Sequence, residues 1–278
     1  MESIQNIKKR IASIQSTKQI TQSMRMVSSS KVVKARNKME NNREFIASTS
    51  KIVQTALLNQ DAVNHRYVKP APVGVSAVIL IASDRGLCGG YNINVCRYAH
   101  EILRDNENKI VTIGAKARDY LNRRSIPGIE NSFNGISENP FFEDALDIAN
   151  IVVGWYDAGQ VDSIKLVFTH FASMLTQEPC EKQLLPLVPQ ETGVVTLEPQ
   201  VDEYLEKSLL FYVTSEIFGA ILESSLSEQC ARITSMDTAV KNSGDMIDTL
   251  TLKYNQARQG RITQELTEII GGTQAKRR

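Results

Sequence analysis

The sequence is poor in proline and glycine at both ends. All eight prolines lie between Pro70 and Pro199, and the first glycine is Gly74. Beyond Pro199 the glycines are Gly219, Gly244, Gly260, Gly271 and Gly272. Because these two residue types end most helices, their scarcity lets both flanks form very long helices around a central insert. We predict helices over residues 2–58 and 200–270.

Cysteine and histidine are also scarce and are scattered. None of the cysteines stands in a C-x-x-C or zinc-finger spacing, which predicts free thiols in a reducing compartment. The three histidines form no ligand pattern, so we expect neither a metal nor another cofactor. These residues are Cys88, Cys96, Cys180 and Cys230, with His65, His100 and His170.

Long apolar runs are missing. No uninterrupted apolar run approaches the roughly 18–20 residues of a membrane span, and the first residues carry no apolar core of a signal peptide. We therefore expect a folded, soluble protein that is neither secreted nor inserted in a membrane.

Negative charge is almost absent from the first 39 residues, although the whole chain has a net charge of only +1. Glu2 is the one acidic residue there. The basic residues are Lys8, Lys9, Arg10, Lys18, Arg25, Lys31, Lys34, Arg36 and Lys38. This pattern predicts a cationic helix that faces an acidic protein partner. Nucleic acid is the weaker interpretation, because few aromatic residues precede Phe45.

Both flanks carry the spacing of a coiled coil. The first has Ile4, Ile7, Ile11 and Ile14, then a break at Lys18 and a shifted stripe at Ile20, Met24 and Val27. The last has one row at Leu226, Ile233, Val240, Ile247 and Tyr254, and a second at Gln229, Met236, Ser243, Leu250 and Ala257. We predict two shaft helices, residues 1–60 and 200–278, that pair antiparallel. The second is longer, so the apolar stripe Ile262, Leu266 and Ile269 should contact another protein.

The central residues 73–199 alternate between short strand and helix patterns. Strands are predicted at Val75–Ala82, Lys109–Ile113, Ser163–Phe171 and Lys182–Val188, and helices at 92–105, 115–124 and 141–156. This order predicts an inserted α/β domain with a small, mostly parallel, Rossmann-like sheet.

One glycine-rich turn, SDRGLCGGYN at residues 83–92, stands between the first strand and the first short helix. It matches neither G-x-G-x-x-G nor the phosphate-binding loop, so a structural turn is favoured over a phosphate site. A nucleophilic Cys88 beside Arg85 is a further, weaker alternative. The predicted structural residues are Asp84, Arg85, Gly86, Gly89 and Gly90.

Three segments together resemble the γ subunit of F-type ATP synthases: Ile7–Arg36, the turn at 83–92, and Ser227–Gly272. The middle, roughly 105–200, is only generally similar. The resemblance implies a non-catalytic rotor shaft that couples ion flow to conformational change at catalytic sites on the β subunits. It also implies α, β and ε subunits and the membrane c-ring as partners. Because no organelle-targeting pattern is present at the start of the sequence, we expect the cytoplasmic face of a bacterial plasma membrane, with a processed organellar chain as the alternative.

The resemblance further implies a set of contact residues. Lys8, Lys9, Arg25 and Lys31 would face acidic levers of the β subunits, with Met24 nearby. Arg258, Gln259, Thr263 and Glu265 would contact the β catch loop, and Arg232 would make another shaft contact. The apolar stripe would turn in an apolar collar.

Two other classes remain open on the residues alone. A coiled-coil scaffold would share the heptads but gives no reason for the glycine turn, and it should self-associate. An enzyme built on the α/β domain would need a pocket with convergent polar groups and should bind a small molecule.

Overall fold

The computed structural model describes residues 3–70, 72–104, 107–189 and 200–275. The chain divides into two compact units. One consists of the residues up to Val27 together with those from Ile233 onward, and the other is Ser28–Arg232.

Two helices account for nearly half of the chain. The predicted long helices are confirmed, with 54 residues in α1 and 75 in α5. The helices are α1 Ile4–Leu57, α2 Tyr91–Ile102, α3 Ala115–Arg123, α4 Phe142–Asp157 and α5 Val201–Ala275, with a short 3-10 helix at Gln60–Asn64. The strands are β1 Val75–Ile81, β2 Glu107–Ile113, β3 Ile129–Phe133, β4 Ser163–Phe171 and β5 Gln177–Leu185.

The strands form one sheet in the order β3-β2-β1-β4-β5. The first four are mutually parallel and β5 is antiparallel to β4, which confirms a mostly parallel sheet. Alternate residues of the central strand β1 serve opposite faces. Ala77, Ile79 and Ile81 join a core with α4 and the long helices, whereas Val78 and Leu80 join a second core with α2 and α3.

Two strand predictions were incomplete. Strand β3 was missed because its sequence, IENSF, offers one short alternation and no apolar run. Strand β5 begins at Gln177 rather than Lys182, so it contains Pro179. A proline is tolerated there because β5 lies at the edge of the sheet. The backbone N–H groups on its outer side have no neighbouring strand to bond, so the missing N–H of proline costs no hydrogen bond between strands. The predicted domain end at 199 lies outside the described residues.

The expectation that no segment is apolar enough to span a membrane needs correction. Among the described residues, helix α5 contains an 18-residue window with a mean hydropathy of 1.3 and at most two charged residues. Within the protein 78% of that window is buried, which is typical of a core helix.

The unit formed by the chain ends contains a heptad seam that continues on α1 through Lys18 to Thr21. The predicted shift of phase was wrong at Ile20 and Val27, which are more than half exposed; Met24, the third residue of that stripe, is partly buried. Lys18 fits because it lies opposite Gly244, where a Cβ would come 3.4 Å from its Nζ. The aliphatic stem of a lysine can pack in a seam while the ammonium reaches outward. Both predicted rows of α5 lie in the seam from Ile233 to Ala257.

Gly114 should be irreplaceable. Its φ is 90°, and an added Cβ would lie 2.3 Å from the carbonyl oxygen of Ala82. We expect Gly114→Ala to lower the free energy of unfolding by about 3 kcal/mol or more, through backbone strain and the forced shift of β1. Chemical denaturation measures this. Gly154→Ala is the matched control. Gly154 lies in α4 with open space around it, and we expect a gain of about 0.5–1 kcal/mol. Equal effects of both substitutions would contradict the analysis.

Candidate functional site

The register of the two chain ends follows from two contacts. Arg25 Nη1 lies 2.9 Å from Asp237 Oδ1, and Lys18 lies opposite Gly244. From Arg25 back to Lys18 is seven residues on α1, and from Asp237 forward to Gly244 is seven residues on α5. The two helices therefore pair antiparallel in this unit. Because α1 begins at Ile4, continuing this register brings its first residue opposite Arg258.

The last part of α5 extends past the start of α1. Burial in the seam ends at Ala257, and every residue from Arg258 to Ile270 is exposed. The predicted apolar stripe is in this stretch, with Ile262, Leu266 and Ile269 exposed by 44%, 55% and 63%. Such side chains at i, i+4 and i+7 lie along one side of the helix. This segment therefore presents an apolar stripe that α1 is too short to cover.

The polar residues predicted in the same stretch are partly engaged along the helix. Arg261 Nε lies 2.9 Å from Glu265 Oε1, and Thr263 Oγ1 donates to the carbonyl of Gln259 at 3.0 Å. Arg258 and Gln259 are exposed.

The predicted cationic contacts differ in their surroundings. Lys8 and Lys9 are exposed and Met24 is partly buried. Arg25 pairs with Asp237 as described, and Lys31 Nζ lies 3.2 Å from Glu138 Oε2.

Arg232 is unlike the other predicted contacts because its side chain is buried. Its guanidinium lies 2.6 Å from Glu228 Oε1 and donates to the carbonyl of Gly86 at 3.2 Å. It therefore binds the glycine turn from within the unit Ser28–Arg232.

The glycine turn is held by Asp84. The Oδ1 atom accepts the amide of Ala115 at 3.1 Å, and Oδ2 accepts the amide of Gly135 at 3.0 Å and the hydroxyl of Ser137 at 2.7 Å. These groups belong to the chain after β2 and after β3. One carboxylate at the carboxyl end of β1 thus fastens the connections that leave β2 and β3, the two strands on one side of β1 in the sheet.

The next two residues of the turn connect it to the long helices. Arg85 Nε lies 3.1 Å from Glu138 Oε1, and the other oxygen of Glu138 accepts from Lys31 of α1. The carbonyl of Gly86 accepts from Arg232 of α5. The turn therefore joins the sheet, α1 and α5 through side chains far apart in the sequence.

The local backbone and packing favour glycine at two further positions of the turn. Gly89 has a φ of 57°, in the left-handed region that favours glycine. Gly90 precedes α2, and a Cβ there would lie 3.1 Å from Asn94 Nδ2. Leu87 adopts a φ of 63° without being glycine, and its side chain is exposed.

The surroundings of Cys88 favour the structural interpretation of the turn. Burial raises the pKa of its thiol, although Arg232 acts in the opposite direction. Asn92 Nδ2 donates to the sulfur at 3.1 Å and to Ser83 Oγ at 2.7 Å. A neutral, buried thiol is a poor nucleophile. Among the residues that the structure describes, no group of three or more His, Cys, Asp or Glu side chains could hold a metal ion.

Sequence reasoning missed Glu138 and Glu228, the acidic partners of Arg85 and Arg232. Neither belongs to a recognisable motif, and each finds its partner only through the fold. An isolated glutamate in the sequence carries no signal of such a pairing.

Comparison with known proteins identifies the family. The family model described as ATP synthase matches residues 3–275. The ATP synthase gamma chain of Alkaliphilus metalliredigens is 39% identical over 284 residues, covering 98% of each chain. That of Desulforamulus reducens is 38% identical over 282 residues, covering 99% of each. The chain belongs to the ATP synthase gamma family. Its function is that of the central stalk of an F-type ATP synthase.

Solved structures of the gamma family's complexes share the fold. A chain of the Euglena gracilis mitochondrial ATP synthase, solved with OSCP, F1 and c-ring, has a TM-score of 0.72 at 19% identity and covers 98% of this chain. A chain of the central stalk and c-ring of Tetrahymena thermophila mitochondrial ATP synthase has a TM-score of 0.62 at 25% identity over 79% of this chain. The family assignment replaces the scaffold and small-molecule enzyme alternatives.

Asp84→Asn tests the turn. An asparagine keeps the size of the side chain but replaces one carboxylate oxygen by an NH2 group, so at least one of the bonds to Ala115, Gly135 and Ser137 is lost and the others lose the negative charge. Hydrogen bonds to charged groups contribute about 1.5–3 kcal/mol each, and we expect the free energy of unfolding to fall by about 2–3 kcal/mol. Denaturant titration measures it. Asp147→Asn, at an exposed position of α4, is the control and should change stability by less than about 0.5 kcal/mol. A loss of similar size in both variants would contradict the assigned role of Asp84.

Proposed function

We propose that this chain carries torque between the membrane c-ring and the catalytic sites, which belong to β subunits of a surrounding αβ hexamer. Rotation of its asymmetric surface favours a different conformation at each β site in turn, and so drives binding, synthesis and release of nucleotide. The chain itself contributes no catalytic residue. The observation that carries this proposal is the exposed end of α5, which continues beyond the start of α1.

The apolar stripe suits a bearing. Ile262, Leu266 and Ile269 offer contacts that are non-directional, because apolar attraction depends on buried area and not on fixed hydrogen bonds. A collar of apolar side chains in the hexamer can therefore surround the stripe at every angle of rotation.

The cationic residues suit acidic partners that change during rotation. Lys8 and Lys9 are exposed, and Met24, further along the same helix, is partly buried. Arg25 and Lys31 pair with carboxylates of their own chain, and the Arg25–Asp237 pair is the more exposed of the two. Because exposed ion pairs contribute only about 0–1 kcal/mol, an acidic segment of a β subunit can take over Arg25 at little cost, whereas Lys31 would first have to leave the partly buried Glu138.

The exposed stretch of α5 also offers polar groups. We propose that Arg258, Gln259, Thr263 and Glu265 hydrogen-bond a loop of one β subunit at a time. Arg232 is different. Since its guanidinium is committed to Glu228 and Gly86, we propose that it acts inside the chain, and a direct contact with a partner would first require it to leave these groups.

The remaining partners follow from the same assembly. We propose contacts of the chain with the ε subunit and the c-ring, and no binding of nucleic acid. The chain would be a peripheral protein at the cytoplasmic face of a bacterial plasma membrane, itself not inserted. The complexes of the structural neighbours contain a c-ring, which supports a place in a membrane-associated complex.

Reconstitution tests the proposal. A tagged form of the chain is mixed with the α and β subunits of its own organism, and both complex formation and steady ATP hydrolysis are measured. We expect a stable complex whose hydrolysis requires this chain. The absence of a complex, with α and β folded, would overturn the proposal.

The polar contact can be tested within that complex. We expect Arg258→Ala with Gln259→Ala to lower steady ATP hydrolysis about ten- to a hundredfold, because loss of a charge-assisted contact removes about 1.5–3 kcal/mol. Assembly should persist, since both residues are exposed on α5. Arg97→Ala, at an exposed position of α2, is the control and should leave hydrolysis unchanged. Equal hydrolysis in all three proteins would contradict the contact.

A further inference from the structure

Helix α5 has a short stretch that is polar and yet buried. Six polar residues between positions 224 and 232 are each at most 6% exposed, and we refer to them as the polar seam. They are Ser224, Ser225, Ser227, Glu228, Gln229 and Arg232. Just before this stretch, α5 is buried mainly through apolar residues such as Ile217 and Leu222.

The polar seam is hydrogen-bonded to the end of β4 and to α2. Ser224 Oγ accepts the amide of Thr169 at 3.4 Å, and Ser227 Oγ donates to the carbonyl of Thr169 at 3.4 Å. Tyr91 Oη donates to the carbonyl of Ser224 at 3.1 Å. Two serines one helical turn apart thus hold both backbone groups of a single strand residue.

The seam ends in the buried pair of Glu228 and Arg232. Their side chains are 1% and 8% exposed, and Arg232 also donates to the carbonyl of Gly86. The pair contributes little net stability, because the free energy lost when two charges leave water is about as large as the free energy gained by their attraction. Glu228 Oε2 and Gln229 Oε1 are moreover buried without a hydrogen-bond partner among the described groups. Apolar residues of similar size would be at least as stabilising at these positions.

We infer that the polar seam fixes the rotational position of α5 against the sheet, and that Glu228 and Arg232 are positioning residues for coupling. Apolar packing is non-directional and permits a helix to slip about its axis, whereas hydrogen bonds hold it at one angle. A torque on α5 is then passed to β4 and to the glycine turn without slip. This inference rests on the proposed coupling function.

The test replaces the buried pair by apolar side chains, as Glu228→Leu with Arg232→Met, in the complete ATP synthase reconstituted in vesicles. Two quantities are compared: the membrane potential built up per ATP hydrolysed, read with a voltage-sensitive dye, and the free energy of unfolding of the isolated chain. We expect most of the potential per ATP to be lost while stability is unchanged or increased. A merely structural role would move stability and leave the ratio unchanged.

The matched control is another i, i+4 pair on the same helix. Glu203 and Lys207 are 2.5 Å apart and exposed by 55% and 71%. Glu203→Leu with Lys207→Met makes the same chemical change outside the seam, and it should leave the potential per ATP unchanged.

The outcomes separate the two levels of the argument. If the unaltered complex hydrolyses ATP without building a potential, the proposed coupling function fails. If it couples and the Glu228/Arg232 variant couples equally well, the inference about the seam is overturned alone. Should that variant not assemble, Ser224→Ala with Ser227→Ala removes only the bonds to Thr169. A reduced potential per ATP supports the inference, and an unchanged one overturns it.

Discussion

The antiparallel register of α1 and α5 is the constraint on which the exposed end of the chain depends. Arg25 opposite Asp237 and Lys18 opposite Gly244 fix this register. Since α1 begins at Ile4, the pairing runs out at Arg258, and seam burial ends at the residue before. The apolar stripe beyond it is thus a consequence of unequal helix lengths. In the function proposed above, such a surface lets surrounding subunits contact the chain without binding it at one fixed angle.

Where the long helices meet the sheet, the contacts must instead hold the elements in one fixed arrangement. The contacts there are directional hydrogen bonds and ion pairs. Asp84 fastens the connections after β2 and β3, Glu138 joins Arg85 to Lys31, and Arg232 joins Gly86 to Glu228. The chain therefore combines an exposed apolar stripe, which suits the proposed bearing, with a polar junction that holds its own elements in place.

Much of the fold could be predicted because it depends on local pattern. The scarcity of proline and glycine predicted the long helices, and the apolar, β-branched run at Val75–Ala82 predicted the central strand. Strand β3 was missed because an edge strand of five residues carries little pattern. The predicted break at Lys18 was wrong. Lys18 fits in the seam because Gly244, which has no side chain, lies opposite it, and Gly244 is more than two hundred residues away in the sequence.

The candidate site divides in the same way. The stripe Ile262, Leu266 and Ile269 could be read from its spacing and from the lengths of the two helices. The roles of Asp84 and Arg232 could not, because their partners come from other elements and are brought together only by the fold. Contact residues transferred from the family stay predictions until a complex is measured, and the burial of Arg232 changes the role proposed for it.

Hydrogen exchange tests the central claim most directly, by comparing the isolated chain with the same chain in the assembled complex. The account predicts that backbone amides of 258–270 exchange rapidly in the isolated chain and become protected in the complex, whereas amides of β1 are protected in both. Strong protection of 258–270 in the isolated chain would contradict it, because another part of the chain would then cover that segment. Rapid exchange in both states would contradict it as well, because no partner would then contact the stripe.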